Sequence, residues 1–328
     1  MRIFVTGGTG FTGSHLVRRL LAQGHQVVAL DNQPGRFYDE LKALGAELHI
    51  GSVADRELVD RLTAGCEVVH HLAAAFRQVN LPKSVYWNVN VEGTRYMLEA
   101  ALKHGVRKFV YCSTCGVHGN VENPPGDETA PIAPADYYQS TKYDGEQVVP
   151  EFVKRGLNVV ILRPSAIYGP GDPDRFAMLF KRVKKGRFLM CGDGQSLYHP
   201  VYVENLVDAF LLAAESDRGN GEAYLIADEK YQTLNELVTA IGEALNVKLK
   251  IIHIPYWPVW LVALVVEMVY KLLPGIDPPI FRRRVNWFKQ NRAFSVAKAA
   301  AEIGYVPMVG IAEGLRKTGE WYIQNGII

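Results

Sequence analysis

Tyr138 and Lys142, in the run Tyr-Gln-Ser-Thr-Lys, are the pair of side chains whose types and spacing most clearly suit chemistry. Residues four apart share one face of a helix, so the phenol and the ammonium can meet the same ligand. A neighbouring cation lowers the pKa of a phenol, which suits it to general acid and base catalysis near neutral pH. The same spacing recurs at Tyr38 and Lys42, which we interpret as the surface of a helix.

The position of Tyr138 separates the two copies. Only Tyr138 follows a predicted strand, residues 108–112, that ends in hydroxyl side chains, Ser113 and Thr114. Open α/β sheets bind ligands at the carboxyl ends of their strands, where a hydroxyl can hold a substrate oxygen. The alternative is that both hydroxyls only form hydrogen bonds at the end of the strand and bind no substrate.

A glycine turn near the start of the chain predicts a dinucleotide. Residues 6–13 read Thr-Gly-Gly-Thr-Gly-Phe-Thr-Gly and lie between a predicted strand and a predicted helix. Gly7, Gly10 and Gly13 allow a tight turn, so that a pyrophosphate can rest at the helix N-terminus, where unpaired amides attract anions. A purely structural turn is the alternative.

Asp31 predicts which dinucleotide binds. It ends the second predicted strand, about twenty residues beyond the glycines, where a carboxylate can accept hydrogen bonds from ribose hydroxyls. A carboxylate there would repel a 2′-phosphate, so we expect NAD rather than NADP. Arg36 lies close by in the sequence and keeps NADP open.

The elements around these residues predict an α/β fold, a Rossmann doubly wound parallel sheet. The predicted strands are 3–5, 26–30, 48–50, 68–71, 108–112 and 158–162, and the helices between them include 14–23, 94–104 and 138–154. Residues 1–165 would form this NAD-binding domain. Residues 166–328, with helices near 176–185, 203–215 and 234–245, predict a smaller mixed α/β substrate lobe interleaved with the first domain.

Composition narrows the classes of function. The 328 residues carry a net charge of +2 with scattered Lys and Arg, which argues against a nucleic-acid partner. Four cysteines make no disulfide scaffold, and the first residues read as a strand rather than a secretory signal, so we expect a cytoplasmic protein. Cys112 and Cys115 lack a second pair of ligands, and His70 and His71 fit packed, neutral groups, so no metal is predicted.

The chain resembles the extended short-chain dehydrogenases/reductases over nearly its whole length. Besides the glycine turn, Asp31 and the Tyr–Lys pair, the matching runs are His71-Leu-Ala-Ala, Asn90-Val-Glu-Gly, Ser113-Thr114 and Arg163-Pro followed by Tyr168-Gly-Pro. The resemblance implies a catalytic triad of Thr114, Tyr138 and Lys142, assisted by Ser113, with Lys142 also binding the nicotinamide ribose. It implies a homodimer as well, through the helices 94–104 and 138–154.

The resemblance also implies a set of cofactor-binding residues along the dinucleotide groove. They are Gly7, Gly10, Phe11, Thr12, Gly13, Asp31, Asn32, Ser52, Val53, Leu72, Ala73, Ala74, Asn90, Tyr138, Lys142, Pro164 and Ile167. Asn90 would brace the active-site helix, and Ile167 would lie near the carboxamide. One departure concerns Gly51-Ser-Val, which stands where the family usually has Gly-Asp and an apolar residue against adenine.

The family divides mainly between enzymes of nucleotide sugars and 3β-hydroxysteroid or sterol dehydrogenases. Tyr198 occupies the place where sugar-nucleotide enzymes carry an arginine for the diphosphate, and a phenol is a poor substitute. The run Tyr202-Val-Glu-Asn resembles the hydroxysteroid branch. We therefore expect an apolar, sterol-like small-molecule substrate. A nucleotide-sugar epimerase or dehydratase with tightly bound NAD is the alternative, and a non-catalytic NAD-sensing module is a third.

Residues 254–284 predict either a lid or a membrane contact. Residues 259–273 are apolar except for Glu267 and Lys271, and three arginines follow at 282–284. Pro255 and Pro258 leave the stretch too short and too interrupted to predict a membrane span. It suits a peripheral membrane element, with the arginines on anionic headgroups, or a helix that caps the substrate pocket.

Overall fold

Seven parallel strands form the main sheet of the computed structural model, which describes residues 1–76, 81–173, 175–270 and 280–328. The strands along the chain are β1 (Arg2–Thr6), β2 (Gln26–Asp31), β3 (Glu47–Ile50), β4 (Val68–His71), β5 (Lys108–Cys112), β6 (Val159–Pro164), β7 (Ala166–Tyr168), β8 (Arg187–Cys191), β9 (Leu197–Tyr198), β10 (Pro200–Tyr202), β11 (Ala223–Ile226), β12 (Gln232–Thr233) and β13 (Lys250–Ile254). The main sheet runs β11-β6-β5-β4-β1-β2-β3. This order confirms the predicted Rossmann fold.

Helices cover both faces of this sheet and build the rest of the chain. They are α1 (Phe11–Ala22), α2 (Tyr38–Ala43), α3 (Arg56–Thr63), α4 (Lys83–Trp87), α5 (Gly93–Lys103), α6 (Tyr137–Lys154), α7 (Arg175–Val183), α8 (Val203–Glu215), α9 (Leu234–Ala244), α10 (Tyr256–Tyr270), α11 (Arg282–Asn286), α12 (Ala297–Ile303) and α13 (Ile311–Gln324). A π-helical turn (Asn88–Glu92) precedes α5, and short 3₁₀ turns occupy Cys115–His118 and Trp287–Lys289.

The chain order reverses between β1 and β4, which lie side by side with Thr6 opposite His71. Ligands of open α/β sheets bind outside the carboxyl ends of strands at such a switch point. Two apolar clusters hold the sheet from either side: one joins α1 and α8 through Leu16 and Phe210, and the other joins α5 and α6 through Met97 and Phe152. The strand ends are therefore positioned on a rigid support.

The second half of the chain contributes to the main sheet and its covering helices and also forms a separate lobe. Strand β11 pairs with β6 in the main sheet, and α8 packs on its face. The remaining strands form three two-stranded sheets, β10 with β7, β12 with β9 and β13 with β8. A separate core unites α7, α9 and α13, with Phe180, Leu237 and Tyr322 fully buried. Over the residues described, helices that are both long and apolar enough to span a bilayer are absent.

Candidate active site

The glycine turn joins β1 to α1 in a shape that suits a phosphate. Gly7 has a φ of +68° and lies against Ala73, whose amide nitrogen would be 3.0 Å from a Cβ on Gly7. A Cβ on Gly13 would overlap the carbonyl oxygen of Gly7. Gly10 is the N-cap of α1, and the amides of the first helical turn have no partner within a helix. The turn therefore presents backbone donors where a pyrophosphate would lie.

Asp31 is held at the end of β2 by the glycine turn itself. Its Oδ2 accepts hydrogen bonds from the Thr9 amide at 3.0 Å and the Thr9 hydroxyl at 2.9 Å, and its Oδ1 accepts from the Asn32 amide at 2.9 Å. The guanidinium of Arg36 stacks 4.6 Å from the ring of Trp321 on α13. The carboxylate is positioned, and the nearby cation is engaged elsewhere.

A buried hydrogen-bond chain links the ends of β1 and β4 to the π-helical turn. The Ala73 amide donates to the Thr6 hydroxyl at 3.1 Å, and that hydroxyl lies 2.7 Å from His71 Nδ1. His71 Nε2 lies 3.1 Å from the Thr94 hydroxyl, which donates to the Asn90 carbonyl at 2.8 Å. Every donor meets an acceptor when His71 is neutral with its proton on Nε2. Burial holds the pKa of that imidazole well below its usual value.

Asn90 connects this chain to the helix that carries the Tyr–Lys pair. Its Nδ2 donates to the Thr141 hydroxyl at 3.0 Å, and its Oδ1 accepts from the Ala75 amide at 2.8 Å. It sits in the π-helical turn, a wide turn that often marks functional sites. A Cβ on Gly145 would lie 2.7 Å from the Asn90 carbonyl, so the turn and α6 approach as closely as a glycine permits.

Lys142 is buried at the centre of the corner that these elements form. Its side chain lies 4.3 Å from the centre of the Tyr111 ring, and Lys142 is 1% exposed. Within the described part of the chain, its Nζ and the buried hydroxyls of Ser113 and Ser165 lack a hydrogen-bond partner. Burial lowers the pKa of the Lys142 ammonium to about 8. A buried ammonium without polar partners is unfavourable, so the site is built for a polar ligand.

Tyr138 is the second residue of α6 and lies one turn before Lys142. The helix is capped by Asp136, whose carboxylate accepts a hydrogen bond from the Gln139 amide at 2.9 Å. The Tyr138 ring meets the edge of Phe76 with a centroid distance of 5.0 Å. The cap and the aromatic contact orient the start of the helix, and with it the phenol.

Thr114 lies where β5 leads into a 3₁₀ turn. Its hydroxyl accepts a hydrogen bond from the Gly116 amide at 3.1 Å, which leaves the hydroxyl proton available to donate to a ligand. Burial raises the pKa of the neighbouring Cys112 thiol to about 11, and Cys115 is buried as well. The Cys112 thiol therefore lacks the low pKa of a reactive cysteine or a metal ligand.

Three residues outside the predicted catalytic and cofactor-binding sets join the elements around the site. Arg163, at the end of β6, donates to both carboxylate oxygens of Glu146 on α6, at 3.0 and 2.6 Å. A third nitrogen of Arg163 donates to His118 Nε2 at 3.1 Å, and His118 Nδ1 donates to the Ala130 carbonyl at 3.0 Å. The ion pair fixes β6, α6 and the turn after Thr114 relative to one another. The signal in the sequence that could have indicated this pair was a charged residue, Arg163, inside an otherwise apolar strand.

The remaining predicted cofactor residues fall along one edge of the main sheet, although their exposure differs. Val53 is buried against Gly93, whereas Ser52 is exposed and accepts from the Ala54 amide at 3.1 Å. The others follow β4, end β6, lie in β7 or open α1: Leu72, Ala73, Ala74, Pro164, Ile167, Phe11 and Thr12. Val53 therefore presents little of its side chain to an adenine ring.

These features fit a dinucleotide in the groove along the switch point. The turn of Gly7, Gly10 and Gly13 would hold the pyrophosphate, Asp31 the adenosine ribose, and Lys142 the nicotinamide ribose. The groove thus leads from the glycine turn to the start of α6.

Comparison with known proteins shows which family this chain belongs to. Residues 3–227 match the NAD dependent epimerase/dehydratase family, and the chain is a member of it. This confirms the resemblance to the extended short-chain dehydrogenases/reductases. The family consists of enzymes that work with NAD.

Individual relatives include both dehydrogenases and epimerases. The chain is 33% identical to 3beta-hydroxysteroid-dehydrogenase/decarboxylase isoform 1 of Arabidopsis thaliana, over 96% of this chain and 78% of the relative. It is 29% identical to the N-acetyl-alpha-D-glucosaminyl-diphospho-ditrans,octacis-undecaprenol 4-epimerase of Escherichia coli O157:H7, over 96% of this chain and 93% of the relative. The crystal structure of UDP-glucose 4-epimerase from Thermotoga maritima with UDP-glucose superimposes with a TM-score of 0.80 at 28% identity, covering 99% of both chains.

Proposed function

We propose that this protein is an NAD-dependent dehydrogenase or reductase that interconverts a secondary alcohol and a ketone on an apolar, sterol-like substrate. The observation that carries this proposal is Lys142, an ammonium buried without a hydrogen-bond partner in the described structure, one helical turn from the Tyr138 phenol. NAD, when bound, supplies the hydride acceptor at its nicotinamide ring.

Four side chains supply the proton transfer and the hydrogen bonds that the reaction needs. The Tyr138 phenol takes the alcohol proton on oxidation and returns it on reduction. The Lys142 ammonium, with a pKa of about 8, is charged at neutral pH and stabilises the phenolate. Thr114 donates its hydroxyl proton to the substrate oxygen, since the hydrogen bond that it accepts from the Gly116 amide leaves this proton free. Ser113, a buried hydroxyl beside it, is a second donor to that oxygen.

The preference for NAD over NADP rests on the environment of Asp31. The carboxylate is held by Thr9 and Asn32 at the ribose end of the groove, and Arg36 stacks on Trp321 rather than beside it. A 2′-phosphate would therefore meet the negative charge of the Asp31 carboxylate. Titration calorimetry should show tighter binding of NAD than of NADP.

The apolar substrate is supported by what surrounds Tyr198. This residue is 3% exposed, and its ring packs against Trp287 with a centroid distance of 5.3 Å. A phenol buried in an aromatic cluster is unsuited to binding a diphosphate in the way that an arginine does. The fold of the T. maritima UDP-glucose 4-epimerase supports a second candidate, an epimerase or dehydratase of nucleotide sugars.

The test is to incubate the purified protein with NAD and one class of substrate in separate reactions. One set of reactions contains 3β-hydroxysterols, and the other contains UDP- and dTDP-sugars. We expect NADH absorbance to rise with the sterols. Conversion of a sugar nucleotide without net NADH would establish the second candidate instead. A lack of reaction with every sterol and every sugar nucleotide would favour a sensing module.

Tyr138→Phe should lower turnover on the accepted substrate by about a thousandfold, a typical contribution of general acid and base catalysis. NAD affinity should change little. Tyr38→Phe, in the second Tyr-x-x-x-Lys run, is the matched control and should leave turnover unchanged. Near-normal turnover in Tyr138→Phe would refute the role given to this phenol.

A further inference from the structure

Helix α10 carries an outward face of large apolar side chains on the substrate lobe. Only Ala263 among its fifteen residues is buried. The exposed residues, which we call the α10 stripe, recur every three or four positions and so share one side of the helix. They are Trp257 (71% exposed), Leu261 (49%), Val262 (54%), Val265 (49%), Met268 (51%) and Val269 (50%).

The opposite side of α10 is seated on the lobe. Ala263 packs with Cys191 and Val285 in a small apolar cluster to which Val259 and Trp260 also contribute. Glu267 accepts hydrogen bonds from Arg282, at 2.6 Å from the amide and 2.8 Å from Nε. The helix therefore has a defined inner face, and the α10 stripe is what remains outside.

Positive charge accompanies the stripe. Residues 254–292 contain six Lys or Arg and two Asp or Glu, whereas the whole chain has a net charge of only +2. Arg284 on α11 and Lys289 on the 3₁₀ turn that follows it are exposed, and Lys289 lies 4.1 Å from the centre of the Tyr256 ring at the start of α10. An apolar helix face with flanking cations and with Trp and Tyr at one end is the pattern of an interfacial helix on anionic lipid.

We propose that α10 lies in the surface of a bilayer that contains anionic lipid, with the α10 stripe among the acyl chains and Arg284 and Lys289 on the headgroups. Electrostatic attraction favours this occupant over a neutral apolar partner, since juxtamembrane cations bind anionic leaflets. Residues 271–279, the rest of the predicted apolar segment, lie outside the described residues.

The docking face adjoins the part of the lobe that would receive substrate. Phe288 belongs to the cluster beneath α10, its neighbour Trp287 packs on Tyr198, and β9 leads into the core of the lobe. If the proposed function holds, a sterol-like alcohol would reach the site from the membrane rather than from water. The binding of lipid itself does not depend on that function.

Co-sedimentation of the full-length protein with sucrose-loaded vesicles tests the proposal. We expect partition onto vesicles of phosphatidylcholine mixed with phosphatidylglycerol, weaker partition onto phosphatidylcholine alone, and weakening by salt. The double variant Trp257→Ser/Leu261→Ser should lower partition on both vesicles about tenfold, because binding scales with the apolar area buried. Arg284→Gln/Lys289→Gln should lower partition about tenfold on the anionic vesicles only.

The matched control is Val306→Ser/Met308→Ser, which removes apolar side chains that are 60% and 75% exposed elsewhere and should leave partition unchanged. Equal partition of the wild type and the Trp257→Ser/Leu261→Ser variant would overturn the proposal. So would a fall in mass of that variant, measured by light scattering without lipid, since a second copy of the chain would then cover the stripe. Calorimetry with NAD checks that each variant is folded, and a failure of substrate turnover leaves the vesicle result intact.

Discussion

The corner around Lys142 and the α10 stripe differ in which groups they hide from water. At the corner, charged and polar side chains are buried, and Lys142 and Glu146 are 1% and 3% exposed. On α10, large apolar side chains are exposed, with Trp257 at 71%. The buried Lys142 ammonium and the exposed apolar side chains of α10 are both unfavourable in the isolated chain, and each points to a missing partner.

The corner itself contains two kinds of buried charge. The Arg163 guanidinium is paired with Glu146 within the protein, whereas the Lys142 ammonium has no hydrogen-bond partner in the described structure. The pair of Arg163 and Glu146 connects β6 to α6, whereas the unpaired ammonium of Lys142 can interact with a ligand. Arg163 and Glu146 therefore support the corner, whereas we expect Lys142 to bind a ligand.

The largest effect on stability is expected from Arg163→Met, which leaves the Glu146 carboxylate buried without its guanidinium. Removing one partner of a buried pair lowers the free energy of unfolding by about 3–5 kcal/mol. Urea unfolding followed by circular dichroism measures it. Arg155→Met is the control, because its pair with Glu151 is exposed and separated by 3.4 Å, and it should change stability by less than about 0.5 kcal/mol. Equal effects would mean that the buried pair holds nothing in place.

Lys142→Met is expected to raise the free energy of unfolding, whereas Arg163→Met lowers it. The pKa of Lys142 is about 8 in the folded chain and 10.5 when unperturbed, so the unfolded chain binds this proton more tightly. The stability of the protein without NAD should therefore rise as the pH increases from about 8 to about 10. The variant should gain about 2–3 kcal/mol near pH 7, lose that rise, and lose turnover.

Thermal unfolding of the nucleotide-free protein across this pH range provides the measurement. Lys42→Met, in the second Tyr-x-x-x-Lys run, should leave the pH profile as it is in the wild type. A Lys142→Met variant that is less stable than the wild type near neutral pH would show that the ammonium is stabilised within the chain, and the contrast with Arg163 would disappear.

Local patterns were enough to predict the sheet and the Tyr–Lys pair. Strand and helix alternate in short runs, the glycine turn lies between two of them, and Tyr138 and Lys142 share a single helix. The π-helical turn and the pair of Arg163 with Glu146 were not predicted, because no periodicity encodes a contact that spans 17 residues and two elements.

The orientation of α10 could not be predicted from the sequence either. Almost every residue of this helix is apolar, so its pattern marks no inner face, and a lid and a membrane contact predict the same composition. The structure distinguishes the two sides through Ala263, which touches Val285 and Cys191, and through Glu267, which anchors Arg282. A tertiary contact rather than a propensity decides which side is exposed.

The smallest effect on stability is expected on the α10 stripe. Trp257→Ser/Leu261→Ser removes side chains that pack on little of the protein, so the free energy of unfolding should change by less than about 1 kcal/mol. Ala263→Asp, one residue of the inner face, should instead lower it by several kcal/mol because it buries an unpaired carboxylate. Both are measured by urea unfolding without lipid. If the double variant proved as unstable as Ala263→Asp, the stripe would be part of the folded core in solution, and the contrast between the corner and α10 would fail.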